Sequence, residues 1–150
     1  MRLVFDIETD DLHATKVWCL VAQNLDSGEI FKFPPSKLEE GYKLLTTADT
    51  LIGHNIIGFD IPIVEKFGNI NLSDKKIIDT LVLSRLFNPT REGGHSLETW
   101  GYKLGYPKIE FEDYLNYTSD MLNYCVRDVQ LNTRVMHELQ KESKGFSPQS

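Results

Sequence analysis

The chain has 150 residues, 41% of them hydrophobic and 25% charged, with a formal net charge of −6. This is enough apolar material for one domain with its own core, and no run approaches the ~18 apolar residues of a membrane span. The acidic balance argues against a protein that coats duplex nucleic acid, whose surface is ordinarily basic. The excess acid lies in residues 1–60, and residues 61–110 are mildly basic. That distribution suits divalent cations in one place and a phosphate chain beside them. Cys19 and Cys125 lack metal-type spacing and read as reduced thiols. The chain enters "RLVF" with no leader-like basic and apolar regions before it, so a cytoplasmic location is expected.

Taken in order, "LVFDIE" reads as a central strand, apolar on both faces until its acids begin. "VWCLVAQNL" and "EIFKF" form a hairpin around the turn Asp26 to Gly28. Pro34-Pro35 ends it, and Ser36 with Glu39 reads as a capping box opening a helix through "KLEEGYKLL". "TLIGHN" is a fourth strand, followed by a short helix from Asp60 that stops at Gly68. "KKIID" is a fifth strand, and "TLVLSRLF" and "SLETWGYKLG" are helices on either side of a Gly/Pro loop. Residues 106–117 form an irregular aromatic loop. A long last helix, capped by Thr118 or Ser119, runs to Gly145. Tight turns make the first three strands antiparallel, and helical crossovers make the later ones parallel to the first. The expected fold is α/β, with a mixed five-stranded sheet flanked by helices, in one domain over 1–145 with a flexible tail over 146–150.

Residues two apart in a strand face the same way, so Asp6 and Glu8 point together. Asn55 and Asp60 follow the end of the fourth strand, which should lie parallel to the first and emerge at the same edge. Tyr124 and Asp128 are four apart and share one face of the last helix, bordered by Met121, Cys125, Asn132 and Val135. A carboxylate on an inward stripe needs a partner. The sequence shows no Lys or Arg obviously placed to serve all of these acids, and hard divalent cations fit the need.

The spacing of "DIE", "NIIGFD" and "YCVRD" resembles the three exonuclease motifs of the DEDDy family, the DnaQ-like 3′–5′ exonucleases of the ribonuclease H-like superfamily. "IIDTLVLSRLF", "GGHSLETWGYKLG" and "MLNYCVRDVQL" extend the resemblance to the proofreading domain of family A DNA polymerases of short-tailed, T-seven-like phages. It covers nearly the whole chain.

The resemblance implies a ribonuclease H-like sheet and hydrolysis of the terminal phosphodiester of a 3′ end, with release of nucleoside 5′-monophosphates. It implies two divalent cations, Mg²⁺ with Mn²⁺ as substitute, held by Asp6, Glu8, Asp60 and Asp128, with Tyr124 orienting the attacking water. It also implies that the backbone of Thr9 lies near the terminal 3′ hydroxyl and that Leu12 wedges between the last bases. Asn55 either supports the scissile nucleotide or caps its turn. Tyr102 and Lys103, with Tyr106, Lys108, Phe111 and Tyr114, serve either strand stacking or packing. Asp10 and Asp11 read as solvated loop acids, His54 as structural, and Asp79 as a helix cap.

The expected partners are a single-stranded or frayed DNA 3′ end and a DNA polymerase domain or subunit, in the bacterial host cytoplasm if the gene is a phage's. Two rival readings remain. One is an RNA-trimming 3′–5′ exoribonuclease. The other is a non-catalytic or partner-dependent docking module of a split polymerase.

Overall fold

The computed structural model describes residues 1–144. The expected helix stop at Gly145 and the tail 146–150 lie outside the described residues. Five strands, β1 (Arg2–Thr9), β2 (Val17–Asn24), β3 (Ile30–Phe33), β4 (Thr50–Gly53) and β5 (Lys76–Asp79), form one sheet in the order β3-β2-β1-β4-β5. β1 is antiparallel to β2, and β2 to β3, whereas β4 pairs parallel to β1 and β5 parallel to β4. This is the mixed five-stranded sheet expected from the alternation of elements.

β1 takes the centre because both its faces are apolar, and the parity of its residues assigns those faces. Leu3, Phe5 and Ile7 pack with Leu20, Leu51, Tyr42, Leu45 and Val64, beneath α1 (Leu38–Thr47) and α2 (Ile61–Gly68). Val4 packs on the other face with Cys19, Val21 and Ile52 against Met121, Cys125 and Val129 of α5 (Ser119–Lys144). Full burial of each such side chain stabilises the fold by roughly 1.5–3 kcal/mol. Asp6 and Glu8 share the parity of Val4, so the sheet aims them at α5. α3 (Thr80–Phe87) and α4 (Leu97–Lys103) close the far flank, where Trp100 packs on Leu131, Val135 and Leu139.

The local signals were partly overridden. Ser36 does not cap α1; Pro34 is extended and Pro35 opens a 3₁₀ turn (Pro35–Lys37), so Ser36 already sits inside helical backbone and the capping box cannot form. α2 ends not because of Gly68 but because Asn69 takes the left-handed conformation at φ 51°. Gly68 serves close packing instead, since a Cβ there would lie 2.7 Å from Tyr42 Cγ. α4 stops at Lys103, ahead of Gly105 at φ 67°. Thr118 caps the first turn of α5 by accepting from Met121 N at 3.2 Å.

Candidate active site

Four elements bring carboxylates to one rim of the sheet. β1 supplies Asp6 and Glu8 where its pairing with β2 slips between Glu8 and Thr9. Such a bulge re-aims side chains at a strand end. After β4 the chain turns through Asn55, which is left-handed at φ 63°, into a π-helical turn (Ile56–Asp60). The widened turn carries Asp60 back beneath β1, where its Oδ2 accepts from Ile7 N at 3.3 Å. Asp79 secures this turn from the end of β5 by accepting from Asn55 N at 2.8 Å and Ile57 N at 3.1 Å while also capping α3 through Leu81 N. Gly53 permits the close return, because a Cβ there would meet Ile56 Cγ2 at 2.1 Å. α5 supplies Tyr124 and Asp128, both buried.

The acids strain against one another. Burial raises the Asp6 carboxyl, and a hydrogen bond from Asp60 partly offsets the shift. Asp60 is pushed well above the usual carboxylate range, by burial first and the charge of Asp6 second. Burial, with Asp6 and Asp128 nearby, lifts Glu8 to about 10. Burial and Asp6 lift Asp128 to about 7, against the opposing charge of Lys108. Potential ligand atoms of Asp6, Glu8 and Cys125 all lie within 4.8 Å of one another. Cys125 gives its weak S–H donor to Asp6, at 3.6 Å from the carbonyl and 3.8 Å from Oδ2, and burial keeps the thiol protonated.

Asp128 Oδ1 is buried with no hydrogen-bond partner among the described residues. A buried carboxylate oxygen without a donor costs free energy that a bound cation would recover. The donor set therefore fits a hard divalent ion. The sequence offered no obvious basic partner for these acids, but folding supplies one for Asp128. Lys108 Nζ stands 3.5 Å from Asp128 Oδ2 and 5.2 Å over the ring of Tyr124.

No family model matches the chain. Over 98% of its length it is 26% identical to the DNA-directed DNA polymerase of Enterobacteria phage T3, and equally to that of Escherichia phage T7. It spans 28% of each of these curated relatives. Among solved structures, NrnC of Brucella melitensis with bound Mg²⁺ superposes at a TM-score of 0.69 and 17% identity, covering 95% of this chain and 73% of that one. Exonuclease X in complex with 5′ overhanging duplex DNA superposes at 0.52 and 14% identity, covering 99% of this chain and 96% of that one. The family B DNA polymerase of Pyrobaculum calidifontis gives 0.61 at 14% identity, covering 93% of this chain and 24% of that polymerase. The chain shares its fold with these three solved structures.

Two clefts open at this site. One, of about 290 Å³, is lined by Asp6, Asp60 and Asp128 together with Leu12, His54, Asn55, Phe59, Leu97, Lys108 and Asn132. Leu12 stands over it at 82% exposure. Thr9 is buried and spends its hydroxyl on Asp11 O at 2.9 Å. The second cleft is lined by Tyr102, Lys108, Phe111, Tyr124 and the acids Glu98, Glu110 and Glu112. Tyr102 is 70% exposed there, whereas Lys103 lines neither cleft and lies over the Trp100 ring at 5.8 Å. Tyr106 is held by packing, with Arg127 3.4 Å and Arg134 4.0 Å from its ring centroid. Phe111 stacks on Tyr124 at 5.4 Å.

Asp10 and Asp79 do more than their sequence context suggests, and His54 is structural as expected. Asp10 is not merely solvated: it clasps the loop after β1 by accepting from the Thr15 hydroxyl and from Thr15 N and Lys16 N, and these bonds hold it near about 2. Asp79 organises the Asn55 turn as well as capping α3. His54, kept neutral by burial, donates from Nε2 to His95 O at 2.8 Å, so its Nδ1 accepts from the Thr80 hydroxyl at 2.8 Å. Asn132 completes that chain by donating to Thr80 at 2.9 Å. The ring of His95 is spent on Ser84 and Pro89.

Proposed function

We propose that the chain is a metal-dependent 3′–5′ exonuclease that removes nucleoside 5′-monophosphates from single-stranded or frayed DNA ends. The observation that carries this reading is the meeting of Asp6, Asp60 and Asp128 along one open cleft, with Glu8 beside Asp6 and Asp128 Oδ1 unpartnered. Those four carboxylates would hold two divalent cations, Mg²⁺ or Mn²⁺. When bound, the cations supply positive charge against the phosphate oxygens and the leaving 3′ oxygen, and they acidify water.

The remaining work falls to the chain's own groups. Burial raises the Tyr124 hydroxyl above the ordinary tyrosine value. It therefore stays protonated and donates to the attacking water rather than removing its proton. Phe111 packs along its ring and limits its rotation. Leu12 and Phe59 offer apolar surface to the terminal bases, and Asn55, whose backbone Asp79 anchors, places an amide beside the scissile nucleotide. The backbone of Thr9 marks the position of the terminal 3′ hydroxyl.

DNA as substrate, and a polymerase domain or subunit as partner, rest on the likeness to the two phage polymerases, of which the chain spans only a part. The test is a 5′-labelled oligonucleotide incubated with Mg²⁺, in matched DNA and RNA versions. A ladder shortening from the 3′ end of DNA, abolished by EDTA and resisted by a 3′-phosphate, is expected. Preferential trimming of RNA would reassign the substrate, and attack on circular single strands would indicate an endonuclease.

A further inference from the structure

The loop between α4 and α5 is irregular, yet it is pinned on both sides of one residue. Before it, Tyr106 donates to Gln130 Oε1 at 2.9 Å, and Pro107 O accepts from Arg127 Nε at 2.9 Å. After it, Phe111 stacks on Tyr124. The residue between these anchors is Lys108. Its backbone is held against α5 while a flexible four-carbon side chain carries the ammonium to Asp128.

The Lys108 side chain is 27% exposed and that of Asp128 only 6%. No other Lys or Arg among the described residues forms an ion pair with Asp6, Glu8, Asp60 or Asp128. Lys108 also lines both clefts, so its ammonium has somewhere to go when it leaves Asp128. The second cleft holds Glu98, Glu110 and Glu112, which offer it an anionic refuge.

We propose that Lys108 is a displaceable internal counter-cation. It neutralises Asp128 while the site lacks metal, and it swings into the neighbouring cleft when a divalent ion takes that carboxylate. The inference rests on the metal-binding reading above. A lysine is suited to this role because its charge is compact and its stem flexible, whereas an arginine would hold the carboxylate through a rigid fork. The two states exclude one another because an ammonium and a divalent ion would compete for the same oxygens and repel at contact distance.

The test is Mn²⁺ binding to the full chain, followed by electron paramagnetic resonance without nucleic acid, for the wild type, Lys108→Met, Lys108→Arg and Lys103→Met. Lys103→Met makes the same change in net charge away from the cluster. Lys108→Met should bind Mn²⁺ about tenfold more tightly than wild type, Lys108→Arg more weakly, and Lys103→Met like wild type. Thermal melts give an independent readout. Lys108→Met should melt below wild type in EDTA and level with it in saturating Mn²⁺, because the ion replaces the missing charge. Equal Mn²⁺ affinity in Lys108→Met and Lys103→Met, or a melting deficit that Mn²⁺ does not remove, would overturn the proposal. If the wild type itself bound no Mn²⁺, the metal-binding reading would fail first.

Discussion

Asp60 Oδ2 accepts from Ile7 N at 3.3 Å, which fixes this acid of the π-helical turn beneath β1 and beside Asp6. Burial and the charge of Asp6 push Asp60 well above the usual carboxylate range, and the cluster around these two acids is short of positive charge. The consequences for stability and activity follow from that shortage.

The metal-free chain should lose stability as pH rises. Each raised acid binds a proton in the folded state that the unfolded state has already released. Its stabilising contribution is complete below the ordinary values of 3.8 for Asp and 4.5 for Glu. It is lost as pH climbs through about 7 for Asp128 and on towards about 10 for Glu8. Thermal melts in EDTA should therefore show a higher midpoint near pH ~5 than near pH ~8. The rise on adding Mg²⁺ or Mn²⁺ should be larger at the higher pH. A midpoint independent of pH in EDTA would contradict the assignment of these groups.

Asp128→Asn should separate stability from activity. The substitution removes a buried charge that has one unpartnered oxygen, so the variant should melt no lower than wild type in EDTA near neutral pH. Hydrolysis should fall by about a thousandfold or more, the scale of losing charge stabilisation worth several kcal/mol. Retained activity on a 5′-labelled oligonucleotide would remove Asp128 from the site.

Tyr124→Phe should be milder. It deletes one hydroxyl and keeps the ring against Phe111, so Mn²⁺ affinity should not change. The rate should drop by about tenfold to a hundredfold, the worth of one hydrogen bond to a charged or developing-charge group. A loss equal to that of Asp128→Asn would mean that the phenol does more than orient water.

Asp79→Ala should behave in the opposite way to Asp128→Asn. Asp79 accepts from Asn55 N, Ile57 N and Leu81 N, and its loss leaves three amides near the buried turn without an acceptor. Destabilisation of about 2–4 kcal/mol by denaturant unfolding is expected. Weakened Mn²⁺ binding should accompany it as Asp60 loses its support. An unaltered unfolding midpoint would show that the turn holds without Asp79.

The contrast between these variants mirrors what the chain revealed at successive levels. Strand parity placed Asp6 and Glu8 on one face, helical spacing paired Tyr124 with Asp128, and the alternation of strands and helices set the order of the sheet. These are period effects that local residues dictate directly. Ser36 reads locally as a cap, but Pro34 and Pro35 pre-empt it, a conflict between two local signals that only the formed backbone decides. The π-helical turn before Asp60 has no compositional signature. It exists because Asp79, from a different strand, captures the amides of Asn55 and Ile57.

What the sequence determined by itself was which groups carry charge and which way each points from its own element. Whether Asp128 is left short of a partner, and that Lys108 is the cation reaching it, was decided only when the loop after α4 was pinned to α5. Contacts between residues far apart in the chain depend on loop paths, and loop paths are set by packing and distant hydrogen bonds rather than by local periodicity.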